Sequence, residues 1–271
     1  MRALVLTAPY TSVVQEVPDP VPAAGDVVVD VARVGLCGTD TELLSGEMAY
    51  LEQGHAQYPM VLGHEWCGTV TATGPGANEA WLGRRVIGDT MLGCGHCHRC
   101  RRRRHHVCER RSEIGIRGSY PGALAERLRV PARALHALPD SVGDLAGAMV
   151  EPGGNALRAL DAADLRTDER LLVVGTGTIG LLVAAFAAAR GVQVHLAGLP
   201  GPTLELARAL CLGSTSTLDD VPDTTFDDVI DASNGSGVPA RAVDLVEPGG
   251  RVVLIGLSST PSRLDSRTLV L

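Results

Sequence analysis

The chain has 271 residues, of which 45% are hydrophobic and only 3% are aromatic. This hydrophobic fraction excludes a disordered chain and predicts a core of Ala, Val and Leu in one or two domains. The net charge of −7, with 24 basic residues that are all arginine, argues against a nucleic-acid-binding protein, because such domains are usually basic overall.

The N-terminal segment MRALVLTAPY has no apolar stretch long enough for a secretion signal. The longest apolar run, residues 179–189, is too short to span a membrane. We therefore expect a cytoplasmic protein with no membrane partner. Thiols stay reduced in that compartment, so the seven cysteines favour metal binding or catalysis over disulfides.

The first half of the sequence has the pattern of β structure. Short Val-rich segments such as DVVVDVARV, GTVTATG and RRVIG are bounded by Gly, Pro or Asp, which predicts strands. The segments LAERLRV and ALHALP continue this pattern. Together they predict a compact, barrel-like β domain over about residues 1–135.

From about residue 140 onwards, helical and strand patterns alternate. SVGDLAGAMV, with Ser141 as its N-cap, and GGNALRALDAA are predicted helices. ERLLVV, VQVHLAG, DDVIDAS and RVVLIG are predicted strands, separated by helices that include PTLELARALCLG and VPARAVDLVEPGG. This alternation predicts a doubly wound parallel sheet. The expected fold class is α/β, with a β-rich domain at 1–152 and a parallel-sheet domain at 153–271.

Three glycines form a G-x-G-x-x-G turn between an apolar strand and an Ala-rich helix. The first glycine permits the tight turn, the second lets the backbone approach a pyrophosphate, and the third lets helix and strand pack closely. The helix N-terminus offers free N–H groups to the phosphates. The alternative is a glycine-rich turn without a ligand. The predicted cofactor-binding residues are Gly175, Thr176, Gly177, Thr178, Ile179 and Gly180.

The sequence leaves the choice between NAD and NADP open. An acidic residue usually binds the ribose at the end of the second strand, but no Asp or Glu lies between Glu169 and Glu205. The expected position is Gly198. Loss of the carboxylate permits NADP, yet no arginine follows at 199–207 to bind a 2′-phosphate.

Four cysteines lie close together with the spacing C-x2-C-x2-C-x7-C, namely Cys94, Cys97, Cys100 and Cys108. Short loops of this kind can direct four thiolates at one tetrahedral metal, which is the closed geometry of a structural zinc. An iron–sulfur cluster and free thiols are the alternatives. The histidines of this loop and the arginines between Arg99 and Arg104 are expected to be exposed to solvent.

A second metal site is suggested by GLCGTD at 35–40, GHEWCG at 63–68 and VEP at 150–152. Cys37, His64 and a carboxylate from Glu65 or Glu151 would provide three mixed ligands. The fourth position would stay open for water or substrate, as in a catalytic zinc site. Taken singly, a cysteine is usually a core residue and a histidine is usually hydrogen-bonded. Spacing alone therefore does not decide between a metal site and these ordinary roles.

The motifs GLCGTDTELLSG, YPMVLGHEWCGTV, the four-cysteine loop, EPGGNALRAL and LLVVGTGTIG occur in an order that resembles the zinc-dependent medium-chain dehydrogenases. The resemblance covers the whole chain and is strongest to the polyol, threonine and glucose dehydrogenase branches. It implies a GroES-like catalytic domain, a Rossmann domain and an active site in the cleft between them. It also implies hydride transfer between NAD or NADP and a small alcohol or ketone, here the secondary alcohol of a polyol, sugar or cyclitol.

The same resemblance implies roles for individual residues. Cys37, His64 and Glu65 become candidate ligands of a catalytic zinc, with Glu151 as a further ligand or one that approaches the metal through water. Thr39 would begin a proton relay. Glu42 stands where related relays often end in histidine; it would contact substrate hydroxyls, and the alternative is an exposed helix carboxylate. The four-cysteine loop would hold the structural zinc.

Two departures from the family pattern carry expectations of their own. Arg103 stands where the zinc loop usually has a glycine, so a loop that needs a positive φ there must bend differently. The chain ends at SRTLVL with about five candidate strands against the six of a Rossmann sheet, so we expect the C-terminal part of that domain to be missing.

The alternative function is an inactive relative that binds zinc and nucleotide as a structural or regulatory module. A full-length form is expected to be a homo-oligomer.

Overall fold

The computed structural model describes residues 1–222 and 224–270. The chain divides into two compact units, Met1–Glu151 and a second unit that begins at Pro152. Over the described residues, none of the helices has the length and apolar character needed to cross a membrane.

The first unit consists mainly of short antiparallel strands. Its strands are β1 (Arg2–Ala8), β2 (Thr11–Glu16), β3 (Asp26–Gly35), β4 (Met60–Val61), β5 (Glu65–Thr73), β6 (Arg85–Gly88), β7 (Met91–Leu92), β8 (Ser112–Glu113), β9 (Arg127–Pro131) and β10 (Leu135–Ala137). Its helices are α1 (Gly38–Ser45), α2 (Ala49–Glu52), α3 (His98–Arg101) and α4 (Asp144–Ala148), and α5 (Val150–Ala163) contains the boundary between the units.

These strands form a five-stranded sheet in the order β10-β6-β5-β3-β9, a three-stranded sheet β2-β1-β4 and a small ribbon β7-β8. The Val-rich β3 supplies Val27 and Val29 to a core that also contains Trp66 and Leu128. The antiparallel register pairs the last residue of β3, Gly35, with the first residue of β5, Glu65. This register matters for function, because it brings together the segments that follow β3 and precede β5.

The second unit is a parallel sheet in the order β13-β12-β11-β14-β15. Its elements are β11 (Arg170–Val174), α6 (Thr178–Ala189), β12 (Gln193–Gly198), α7 (Pro202–Leu210), β13 (Ser214–Thr217), β14 (Phe226–Asp231), α8 (Val238–Leu245) and β15 (Val246–Leu254).

Successive residues of β11 enter cores on opposite faces of this sheet. Leu171 and Val173 pack in a cluster that contains Val183 of α6, whereas Leu172 and Val174 pack in a cluster that contains Ala242 of α8. A parallel strand that is buried on both faces appears in sequence as a continuous apolar run. This arrangement confirms the predicted α/β class with a β-rich domain and a parallel, Rossmann-like sheet.

Two local predictions were wrong, and one strand was not predicted. Ser141 is not a helix N-cap, because α4 begins at Asp144 with Gly143 as its N-cap. The helix predicted over VPARAVDLVEPGG ends at Leu245, because the chain from Val246 pairs with β14. The polar strand β13 was missed.

Strand β13 was missed because its sequence, STST, has no apolar residue. It is held at the edge of the sheet by parallel pairing with β12. The buried ring of His195 on β12 also bonds to both of its serines, with Nδ1 2.7 Å from Ser214 Oγ and Nε2 2.9 Å from Ser216 Oγ.

Candidate active site and metal centres

Three of the predicted catalytic-zinc ligands lie together in the first unit. Cys37 is the N-cap of α1, just after β3. Glu65 is the first residue of β5, and His64 immediately precedes it. One ligand atom from each of the three lies within 4.8 Å of the others. His64 and Glu65 are buried and Cys37 is half-buried. The set has the mixed sulfur, nitrogen and oxygen donors of an open zinc site.

Asp40 links the histidine of this cluster to the cysteine. Its Oδ2 accepts a hydrogen bond from the Cys37 backbone N–H (2.9 Å), and its Oδ1 accepts one from the Gly63 N–H (3.2 Å). His64 Nδ1 lies 3.5 Å from Oδ1 of Asp40. Among the described residues, this buried Nδ1 has no hydrogen-bond partner of normal geometry.

This arrangement fits a metal ion. Histidines that bind a metal through one ring nitrogen usually present the other N–H to a carboxylate, which fixes the ring. With Nε2 of His64 on the metal, Nδ1–H would face Asp40. Sequence reasoning did not assign Asp40, although it is the last residue of the quoted GLCGTD motif and lies in the first turn of α1.

The cluster also favours a positive charge. Burial alone would lower the pKa of His64, but Asp40 and Cys37 outweigh it and raise that pKa to about 10. The pKa of Glu65 is raised chiefly by burial and further by the charges of Glu151 and Asp40, against the lowering effect of His64. Acidic and sulfur groups crowded into a buried position are stabilised by a bound cation.

Gly35 leaves the space that the Glu65 carboxylate occupies. A Cβ atom at Gly35 would overlap Oε2 of Glu65 and would lie 3.1 Å from its Cβ. Because these two residues are paired across β3 and β5, a larger residue at position 35 would push the carboxylate away from Cys37 and His64.

The other predicted active-site residues belong to the same unit. Thr39 lies in the first turn of α1 and is half-buried, as is Glu42 in the same helix. Glu151 is not one of the three clustered residues, but its charge acts on Glu65. The roles of Thr39, Glu42 and Glu151 stay predictions.

Replacing Asp40 by asparagine is expected to weaken zinc binding at the Cys37 site by roughly 10–100-fold, the usual cost of losing a carboxylate behind a ligating histidine. Competition with a chelator of known affinity measures this change. Asp30→Asn, on the exposed part of β3, is the control. Unchanged zinc affinity in Asp40→Asn would contradict the assigned role of Asp40.

The four cysteines of the loop also converge. One sulfur from each lies within 4.8 Å of the others. Cys94 Sγ lies 4.0 Å from Cys100 Sγ, and Cys97 Sγ lies 3.8 Å from Cys108 Sγ. Zinc–sulfur bonds of about 2.3 Å place the sulfurs of a tetrahedral site about 3.8 Å apart, so this spacing fits a single zinc ion. All seven cysteines are free of disulfides.

Backbone N–H groups favour the thiolate form of two cysteines in this loop. The N–H groups of His96 and Cys97 lower the pKa of Cys94 to about 6. The pKa of Cys97 is lowered mainly by the N–H of Cys100. Burial and the neighbouring sulfurs instead raise the pKa of Cys100 to about 11. A metal ion, which needs deprotonated sulfur, would relieve that crowding.

Two expectations about this loop need correction. Arg103 adopts a φ of 59°, so the loop keeps a left-handed residue at this position and does not bend differently. The cost of that conformation is about 1–2 kcal/mol for a residue with a Cβ. His96 and His98 are exposed as expected, but His105 and His106 are half-buried; the arginines from Arg99 to Arg104 are exposed.

The glycine turn of the second unit has the geometry that the motif predicts. Gly175 has a φ of 110°, and a Cβ there would lie 2.7 Å from the Ala232 carbonyl oxygen. A Cβ at Gly180 would collide with the Gly175 carbonyl. By contrast, a Cβ at Gly177 would meet no atom within 4 Å. Gly177 is also the N-cap of α6, so open space lies at a helix N-terminus, where a phosphate fits.

Comparison with known proteins identifies the family of this chain. The family described as the alcohol dehydrogenase GroES-like domain matches residues 23–140. An L-threonine 3-dehydrogenase from Mesorhizobium japonicum is 31% identical over 277 residues, which cover 98% of this chain and 79% of that protein. The chain therefore belongs to the zinc-dependent medium-chain alcohol dehydrogenases, which are NAD(P)-dependent oxidoreductases.

Solved structures are similar over almost the full length of the chain. An alcohol dehydrogenase, RspB, from Escherichia coli CFT073, complexed with NADH, has a TM-score of 0.89 at 28% identity and covers 100% of this chain and 80% of that one. A zinc-binding dehydrogenase from Sinorhizobium meliloti 1021, bound to NADP, has a TM-score of 0.89 at 26% identity, covering 99% and 81%. Both nicotinamide cofactors thus occur among similar structures.

Proposed function

We propose that this protein transfers a hydride between NAD or NADP and the secondary alcohol of a polyol, sugar or cyclitol, or the corresponding ketone. The observation that carries the proposal is the cluster of half-buried Cys37 with buried His64 and Glu65, whose ligand atoms lie within 4.8 Å of one another. A three-residue site of this composition can hold a zinc ion and leave one position open for a substrate oxygen.

When bound, zinc would polarise the substrate oxygen and lower its proton affinity, and the nicotinamide ring would exchange the hydride. Cys37, His64 and Glu65 would hold the ion, with Glu151 as the candidate for a further contact. Asp40 would keep the His64 ring in one orientation through Nδ1. In the second unit, the turn at Gly175, Gly177 and Gly180 would bind the pyrophosphate of the cofactor.

Two side chains of α1 would transfer the proton and recognise the substrate. The Thr39 hydroxyl, two residues after Cys37, would accept the proton that leaves the substrate alcohol and pass its own proton outward. The half-buried carboxylate of Glu42 would accept hydrogen bonds from additional hydroxyl groups. Such an acceptor favours substrates with several hydroxyls over monohydric alcohols, because a hydrogen bond to a charged group is stronger than one to a neutral group.

A panel of alcohols and ketones tests the proposal, assayed with both cofactors on zinc-loaded protein. Polyols and cyclitols should give higher kcat/KM than matched monohydric alcohols and than L-threonine. Glu42→Gln should lower kcat/KM for polyols by about 10–100-fold and leave monohydric alcohols unaffected. Glu47→Gln, an exposed residue just after α1, is the control.

The possible failures of this test are distinguishable. Faster turnover of L-threonine or of monohydric alcohols would overturn the substrate class. Loss of all turnover, in protein that holds zinc at the Cys37 site and binds a dinucleotide, would overturn the activity itself.

A further inference from the structure

The C-terminal end of β12 lies beside the glycine turn. Gly198 is the last residue of this strand, and the carbonyl of the preceding residue, Ala197, accepts a hydrogen bond from the Gly175 N–H (2.8 Å). At this edge of the sheet, dinucleotide-binding proteins usually place a carboxylate for the ribose 2′-hydroxyl of NAD, or an arginine nearby for the 2′-phosphate of NADP. Gly198 provides neither group.

The side chain of Thr176 occupies the space that a residue larger than glycine would need at position 198. Thr176 is buried, at 4% exposure. A Cβ at Gly198 would lie 2.6 Å from Thr176 Oγ1, 2.7 Å from its Cγ2 and 3.2 Å from its Cβ. These distances are too short for two side chains, so Thr176 excludes any carboxylate at position 198.

Thr176 also brings a hydroxyl to this edge. Its Oγ1 donates a hydrogen bond to Oγ1 of Thr203 (3.1 Å), in the first turn of α7. Thr203 is exposed. A hydroxyl can donate to a phosphate oxygen or accept from a ribose hydroxyl, so this pair suits either form of the cofactor.

The segment that follows β12 adds no charge that would favour NAD over NADP, or NADP over NAD. Residues 198–204 contain no acidic or basic side chain. The first turn of α7 contains Pro202, which has no N–H to offer a phosphate, and Glu205, which is paired with Arg208 at 3.3 Å. Residues 198–204 therefore present a neutral hydroxyl, that of Thr203, where a charged group usually selects the cofactor.

We propose that this protein accepts NAD and NADP with similar affinity because position 198 carries no selective charge, and that Thr176, by occupying the space beside Gly198, keeps a carboxylate out of that position. This inference rests on the proposed function, since it concerns the cofactor of that reaction. The dissociation constants for NADH and NADPH should agree within about tenfold, since the charge-assisted hydrogen bonds that usually separate the two are lacking.

Calorimetric titration of the zinc-loaded protein with NADH and with NADPH at one salt concentration tests the inference. A preference above about tenfold for either cofactor would overturn the inference and leave the proposed function intact. Absence of binding by both would overturn the proposed function, and this inference with it.

Two variants test the part played by Thr176. Gly198→Asp alone should weaken both cofactors at least tenfold, because Thr176 blocks the new side chain. Thr176→Gly combined with Gly198→Asp should restore NADH binding and prefer it over NADPH at least tenfold, whereas Thr176→Gly alone should keep the parity. Equal NADH affinity in Gly198→Asp and in the double variant would show that Thr176 is not the block, and would overturn the proposal.

A third variant keeps the test decisive if the double variant does not fold. Leu199 is 81% exposed, so Leu199→Arg adds a guanidinium beside Gly198 without disturbing the core. It should shift the preference toward NADPH at least tenfold. An unchanged ratio would mean that this edge does not meet the ribose, and the inference would be wrong.

Discussion

Replacing Cys37 by alanine is expected to lower kcat by roughly 10³-fold or more and to leave NADH binding unchanged. The substitution removes the sulfur ligand from the cluster with His64 and Glu65. A catalytic zinc contributes several kcal/mol to stabilising the transition state, and about 4 kcal/mol corresponds to roughly 10³-fold in rate. The glycine turn belongs to the other unit of the chain, so the affinity for dinucleotide should persist.

Steady-state kinetics, calorimetry with NADH and elemental analysis of zinc check this expectation. Zinc content should fall from about two ions per chain to about one, because the four-cysteine loop is a separate closed site. Cys211→Ala is the matched control, since Cys211 is exposed and lies outside both metal-ligand clusters. Full activity in Cys37→Ala would rule out Cys37 as a ligand of a catalytic metal.

The two metal sites differ in how far the sequence predicts them. The four-cysteine loop is local, and its spacing alone indicates a tetrahedral sulfur site. Cys37 and His64 are far apart in the sequence, and spacing did not decide between a metal site and ordinary core residues. Their proximity depends on the antiparallel register that pairs Gly35 with Glu65, and such a register cannot be derived from one segment at a time.

The fold shows the same division between local and long-range information. Strand β11 is an apolar run that sequence patterns identify, whereas β13 is a polar segment whose strand conformation depends on its pairing with β12. The contact between Thr176 and Gly198 could not be predicted from the sequence either. The sequence shows only that position 198 lacks a carboxylate, and the packing of a neighbouring side chain supplies the reason.

Replacing Cys97 by alanine should affect stability rather than the chemical step. Zinc binding to structural sites contributes about 10–16 kcal/mol in isolated zinc-finger peptides. Here the loop is attached to a folded unit, so we expect a smaller loss, on the order of 4 kcal/mol. For a domain of this size, that loss lowers Tm by about 8–16 °C.

The remaining contacts of the loop explain why the rest of the unit should stay folded at low temperature. Arg111 donates through Nε to the buried Glu113 carboxylate (2.6 Å) and through NH2 to the Tyr50 hydroxyl (2.8 Å). These bonds hold the chain beyond Cys108 to β8 and α2 without a metal. Cys97→Ala should therefore retain the cluster around Cys37, and its turnover at low temperature should be close to that of the unmodified protein.

Thermal unfolding, zinc analysis and low-temperature kinetics on Cys97→Ala separate the two sites. His98→Ala is the control, because His98 is the exposed neighbour of Cys97 in α3. An unchanged Tm with all zinc retained would contradict a structural zinc at the four cysteines, and visible absorbance from bound iron would favour the iron–sulfur alternative. The expected pattern is that Cys37→Ala loses turnover but keeps its Tm, whereas Cys97→Ala has a lower Tm but keeps its turnover. This pattern would mean that the first unit uses one zinc ion for catalysis and another for stability.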